Sequence, residues 1–171
     1  KSSDWVNYIK TAPDLWRNHY YNCIGDHENA FYGDGQDDWG AGGGMFTHLP
    51  NFWSQPNMEA QGNGVDYYKK IPNVNGSGMT VHIISLHYSD SPTNASQAFK
   101  EQTRQFMQDK LMQIGATKTV NDIVFVLAHQ VDWMIKAGLN STRKDLLYGV
   151  ADYINCASSH SYERVTGASG N

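Results

Sequence analysis

Hydrophobic and polar positions follow two rhythms along this chain. The most apolar stretch, Ile123-Val124-Phe125-Val126-Leu127-Ala128, is short, unbroken and rich in β-branched residues, as expected for a strand buried on both faces. Met79 to Tyr88 reads as a second strong strand, and Asp66 to Ile71 (DYYKKI) as a third. Asn73 to Gly78 (NVNGSG) between them has turn chemistry. Tyr21-Asn22-Cys23-Ile24 and Tyr153-Ile154-Asn155-Cys156-Ala157 are shorter strand candidates. The second rhythm is helical. A helix beginning near Ser96 carries Phe99, Thr103, Phe106, Met107, Leu111 and Ile114 on one stripe, and Gly115 stops it. Thr142 to Val150 repeats the pattern with Leu146, Leu147 and Val150, and residues 4–21 are helical in part around Pro13. Residues 29–63 read as one long loop, with glycines among Asp34, Asp37 and Asp38, a length that is unusual inside a compact domain unless it is functional.

The order strand, loop, strand, helix, strand, helix, strand predicts βαβ units with parallel strands and right-handed crossovers, an α/β protein. At 171 residues the chain suits one domain with a sizeable core and is too short for two comfortable ones. No internal repeat or second domain is visible.

Composition narrows the function. The formal net charge is -4, and no run of Lys or Arg forms a nucleic-acid groove or a polybasic membrane patch. No apolar stretch approaches the roughly 20 residues that cross a bilayer as a helix. The first residue is Lys1 and no signal peptide is present, so a processed or trimmed chain is expected. Three N-x-Ser/Thr sequons, at Asn75, Asn94 and Asn140, all fall in turn-like segments. Together they favour a glycosylated, secreted protein over chance occurrence. Cys23 and Cys156 each lie near the end of a predicted strand; they either pair as a disulfide or remain two buried thiols.

Candidate chemistry gathers at strand ends. His27 follows the strand at 21–24 within Gly25-Asp26-His27-Glu28, His129 follows the strand at 122–128, and His160 follows the strand at 153–157. Parallel strands would collect these histidines on the carboxyl edge of the sheet, where α/β folds place ligands. Asp26 and Glu28 bring carboxylates to that edge, and imidazole with carboxylate suits Zn, Fe or Mn. One histidine at one strand end is ordinarily a surface residue; recurrence at three ends is what points to a site. His82 and His87 are five apart on a strand and fall on opposite faces, so they do not pair. His19 and His48 have no evident partner in the sequence. The Asp34–Asp38 loop lacks the ligand spacing of an EF-hand.

From about Tyr21 to Arg164 the chain resembles the carboxy-terminal half of the calcineurin-like metallophosphoesterases, the superfamily of purple acid phosphatases and many phosphodiesterases. Gly25-Asp26-His27-Glu28 is similar to the family's Gly-Asn-His-Glu/Asp corner. QTRQFMQDKL, from Gln102 to Leu111, is loosely similar to its Q-x-x-W-L-x-x-x-L helix, with Gln105 in place of the Trp. Val126-Leu127-Ala128-His129 stands where its strand-then-Gly-His motif stands, and YGVADYINCASSHSYER, from Tyr148 to Arg164, resembles its closing motif. The resemblance implies part of a β-sandwich flanked by helices (αββα), with mostly parallel strands. It further implies hydrolysis of phosphate mono- or diesters at a divalent two-metal site, with Asp26, His129 and His160 as ligands and His27 as general acid.

The departures qualify that expectation. Asp26 replaces the family's Asn, and Ser158 replaces the first histidine of the closing Gly-His-x-His. The family's opening Asp-x-His and Gly-Asp motifs have no counterpart here, so residues 1–171 are expected to form a single domain lacking the amino-terminal half of the fold. The metal is then either held at reduced affinity or lost. The alternative is a non-catalytic glycoprotein that uses the scaffold for assembly or binding. Its apolar strands would be covered by self-association or by the missing segment.

Overall fold

A computed structural model describes residue 21 and residues 54–61, 66–86, 101–128, 139–156 and 161–164. The chain forms β1 (Met58–Ala60), β2 (Tyr67–Ile71), β3 (Thr80–Leu86), helix α1 (Glu101–Gly115), β4 (Asp122–Ala128), helix α2 (Ser141–Val150), β5 (Tyr153–Cys156) and β6 (Ser161–Arg164). The six strands make one sheet in chain order. β3, β4 and β5 are parallel neighbours, whereas β1–β2, β2–β3 and β5–β6 pair antiparallel. The expected α/β class is present, with α1 and α2 as the crossovers that parallel neighbours require. The expectation of mostly parallel strands is corrected: the sheet is mixed, with a parallel centre and antiparallel flanks. Among the described residues there is a single sheet.

Alternation explains how the helices sit. Register places Tyr68 beside Ile84, Ile84 beside Val126 and Val126 beside Ile154, so these residues share one face of the sheet. They pack in one core with Leu86, Val124 and Ala128, with Met107, Leu111 and Ile114 of α1, and with Leu147 and Val150 of α2. Both helices therefore cover the same face. On the other face Tyr67, Ile83 and Ser85 are also buried, while Ile123, Phe125, Leu127 and Tyr153 are half-buried. The rings of Phe125 and Tyr153 stack there with centroids 4.9 Å apart. Apolar side chains on both faces of β3 and β4 give the near-continuous hydrophobic runs read in the sequence.

Polar groups fix the joints. Asp152, between α2 and β5, accepts from Val124 N–H at 2.8 Å and from Lys118 Nζ, and its own N–H donates to Val124 O at 2.9 Å. Lys118 Nζ also donates to Val150 O at 2.7 Å. The segment after α1, the end of α2 and the start of β4 are thus tied at one point. Arg143 of α2 binds Glu101, Gln105 and Gln108 of α1. Gly115 ends α1 at a close approach: a Cβ there would lie 3.0 Å from Val150 Cγ2, so the valine would have to shift slightly to admit one.

Two elements were not expected. β1 lies inside the stretch read as a loop, because Met58–Ala60 pairs with Tyr67–Lys69 and has no strong alternation of its own. The strand expected to run through residue 157 ends at Cys156, and β6 returns beside it. The strand candidate at 21–24 lies outside the described residues except for Tyr21, which is not in a strand.

Leu111 is fully buried and Met112, its neighbour, is 56% exposed. Leu111→Ala should cost about 2–5 kcal/mol through lost packing and a residual cavity, and Met112→Ala less than about 0.5 kcal/mol. Urea unfolding checks this as a lowered midpoint at unchanged slope for Leu111→Ala only.

Candidate functional site

The carboxyl edge of the sheet is where the sequence places its chemistry. Leu86 pairs with Ala128, Ala128 with Cys156, and Cys156 with Ser161. These four residues form one row across β3, β4, β5 and β6, at the carboxyl ends of the three parallel strands. His129 is the residue after Ala128 in the sequence, and His160 the residue before Ser161. The predicted site residues Asp26, His27, His129 and His160 lie outside the described residues, as do Glu28, Cys23, Asn94 and the side chain of Cys156. Among the described residues no three His, Cys, Asp or Glu side chains gather as a metal site.

Two of the three sequon asparagines are described, and both are exposed. Asn75 sits in the turn between β2 and β3 with a positive φ of 51°, a conformation Asn tolerates better than most residues. Asn140 caps α2, its side chain accepting from Arg143 N–H at 2.9 Å. Only the amide oxygen is used in this cap, which leaves Nδ2, the atom that carries an N-glycan, outside it.

A second cluster occupies the opposite end of the sheet. His82 of β3 is 6% exposed, and its Nδ1 lies 2.8 Å from Tyr68 Oη. Its Nε2 lies 3.3 Å from Asp122 Oδ1. Asp122 Oδ2 in turn accepts from the Thr119 N–H at 2.6 Å and the Thr119 hydroxyl at 2.7 Å. Burial pushes the Tyr68 phenol up to about 12, reinforced by the carboxylates of Glu59 and Asp122, so it stays protonated. Burial also holds His82 below the ordinary imidazole value, against the opposing pull of Asp122. The hydrogen bonds at Thr119 hold the Asp122 carboxyl below its usual range. A neutral phenol and an ionised carboxylate fix the tautomer: Tyr68 donates to Nδ1, and Nε2–H donates to Asp122.

Beside this chain is an open cavity of about 140 Å³ between β1–β3 and the end of α1, with Tyr68, Lys70, His82, Gln113 and Thr117 among its lining. Its chemistry is quiet. A protonated phenol is a poor nucleophile, and a histidine kept neutral by burial is a poor general acid at pH 7. The arrangement satisfies a buried imidazole, Tyr68 being pinned further by Lys110 Nζ at 5.4 Å over its ring. It also stands apart from the carboxyl edge: His82 is four residues before Leu86, roughly 13 Å along a strand. His82 was set aside in the sequence because His87 cannot pair with it. The signal that finds its partners is its even position on β3, which turns it toward the helices and obliges it to hydrogen-bond.

The same groups set the pH range of stability. A native His82 pKa below the unfolded value means the unfolded chain binds more protons, so stability falls as pH drops below about 6.5. Asp122, also lowered, acts with the same sign at more acid pH. Tyr68 has the opposite sign: its stabilisation holds below about pH 10 and is lost as pH rises toward the native value of about 12. Urea midpoints measured against pH should therefore fall on both sides of neutrality. Tyr68→Phe should flatten the alkaline limb, and His82→Gln the part of the acid limb that begins just below about pH 6.5; unchanged limbs in both variants would refute the assignment.

No protein-family model matches this chain, and neither a curated protein nor a solved structure matches it.

Proposed function

We propose that the chain is a metallophosphoesterase-like secreted glycoprotein that hydrolyses phosphate mono- or diesters at the carboxyl edge of its sheet. The observation that carries this reading is the row Leu86, Ala128, Cys156, Ser161, with His129 and His160 each adjacent in sequence to one of its members. Parallel β3, β4 and β5 make that edge the place where an α/β fold binds ligands. The motif resemblance along residues 21–164 supplies the rest.

Asp26, His129 and His160 are the residues that would hold a divalent ion, and a carboxylate with two imidazoles fits Zn, Fe or Mn. Such an ion, when bound, polarises a phosphoryl oxygen and lowers the pKa of a coordinated water. Asp26 brings a negative charge where the family's Asn is neutral, which favours retention of a cation. His27 is assigned the proton delivered to the departing ester oxygen, a role an imidazole fills near neutral pH. The secreted, glycosylated part of the reading is supported by the exposure of Asn75 and Asn140 and by a cap at Asn140 that spares its Nδ2.

A second reading, a non-catalytic glycoprotein on the same scaffold, is favoured by Ser158 in place of a histidine. Metal analysis and hydrolysis of p-nitrophenyl phosphate and its bis-ester, before and after chelation, separate the two. The phosphoesterase reading expects bound divalent metal and chelator-sensitive turnover. His129→Ala and His160→Ala should each lower turnover beyond the roughly 10- to 100-fold loss typical of residues behind a metal ligand. Metal-free protein with no turnover in either ester leaves the non-catalytic reading. An intact mass unchanged by glycan release would remove the glycoprotein component from both.

A further inference from the structure

Among the described residues, one buried cation has no carboxylate beside it. Lys69 of β2 points to the face of the sheet opposite α1 and α2 and is 5% exposed. Its Nζ donates to Pro56 O at 2.7 Å and lies 6.0 Å from the centroid of the Tyr21 ring. An ammonium has three donors, and among the described residues no carboxylate pairs with this one. Tyr21 joins a second donor to the corner. Its hydroxyl donates to Gln55 Oε1 at 2.9 Å, and Gln55 Nε2 is buried with no hydrogen-bond partner.

A buried ammonium without a counter-charge costs several kcal/mol, and a buried amide N–H₂ without an acceptor costs about 1–3 kcal/mol. One carbonyl and one aromatic face do not offset both. An acceptor with negative charge and more than one oxygen would answer both donors. Burial also holds the Lys69 amine below its ordinary value, the direction expected of a cation that lacks an anion.

We propose that Lys69 and Gln55 Nε2, backed by the Tyr21 ring, bind an oxyanion, either a carboxylate or a phosphate group, on the face of the sheet opposite α1 and α2. Lys69 supplies the charge and Gln55 a directional N–H, while Tyr21 orients the Gln55 amide through its oxygen. This site does not depend on the phosphoesterase reading, because none of its residues belongs to the strand-end set.

The test uses the full chain dialysed against chelator, so that no metal at the strand ends contributes to anion binding. Thermal unfolding is followed in titrations with inorganic phosphate and, separately, with acetate, at ionic strength held constant with chloride. The expected result is a saturable rise in Tm with at least one of the two. A rise with phosphate alone assigns a phosphate group, and a rise with acetate alone assigns a carboxylate. Lys69→Met and Gln55→Leu should each weaken the apparent affinity about tenfold or more, as loss of a hydrogen bond to a charged group implies. A footprint on the unmutated protein keeps the test open should either variant fail to fold: the saturating anion should slow acetylation of Lys69 several-fold and leave the exposed Lys70 unchanged. No saturable shift with either anion, or a shift equal in both variants and the parent, would overturn the proposal and leave a buried water as the partner of these donors.

Discussion

Three strands that run the same way constrain the whole structure. Parallel neighbours cannot be joined by a tight turn, so β3–β4 and β4–β5 each require a crossover. Here both crossovers are helices on one face. That single fact decides which residues of each strand are core, which face α1 and α2, and which end of the sheet collects strand-terminal residues. The knot at Asp152 serves it directly, since its carboxylate binds β4 at the point where α2 turns into β5. With Lys118 in the same knot, the exits of both helices are set relative to one strand.

The two buried basic groups among the described residues are treated differently. His82 is discharged by burial and given partners on both ring nitrogens, so the imidazole behaves as a neutral brace between β2 and the start of β4. Lys69 has a carbonyl and an aromatic face but, among the described residues, no anion. A buried polar group is ordinarily satisfied, and the contrast between these two neighbours on opposite faces is what singles out the second.

Much of the frame was legible in the sequence. The run at 123–128 had the length and branching of a buried strand and is one; Thr103, Met107, Leu111 and Ile114 had helical spacing and are the buried residues of α1. β1 and β6 were not legible, because each is short and is specified by the strand beside it more than by its own pattern. The Tyr68–His82–Asp122 chain was hidden for a related reason. Its members come from three strands and meet only through register, 14 and 40 positions apart. The strand-end set was read from histidines that follow predicted strands and then from motif order along the chain. Its residues fall outside those described, and what the fold contributes is the row beside which two of them stand in sequence.

The His82 brace has a kinetic consequence. Its bonds join residues 14 and 40 positions apart in the sequence, and the Asp152 knot joins residues 28 and 34 positions apart. Contacts of such separation must meet the entropy of loop closure before they return any binding energy. The amino ends of β3 and β4 are therefore the slow joint of this sheet, where distant parts of the chain have to find one another.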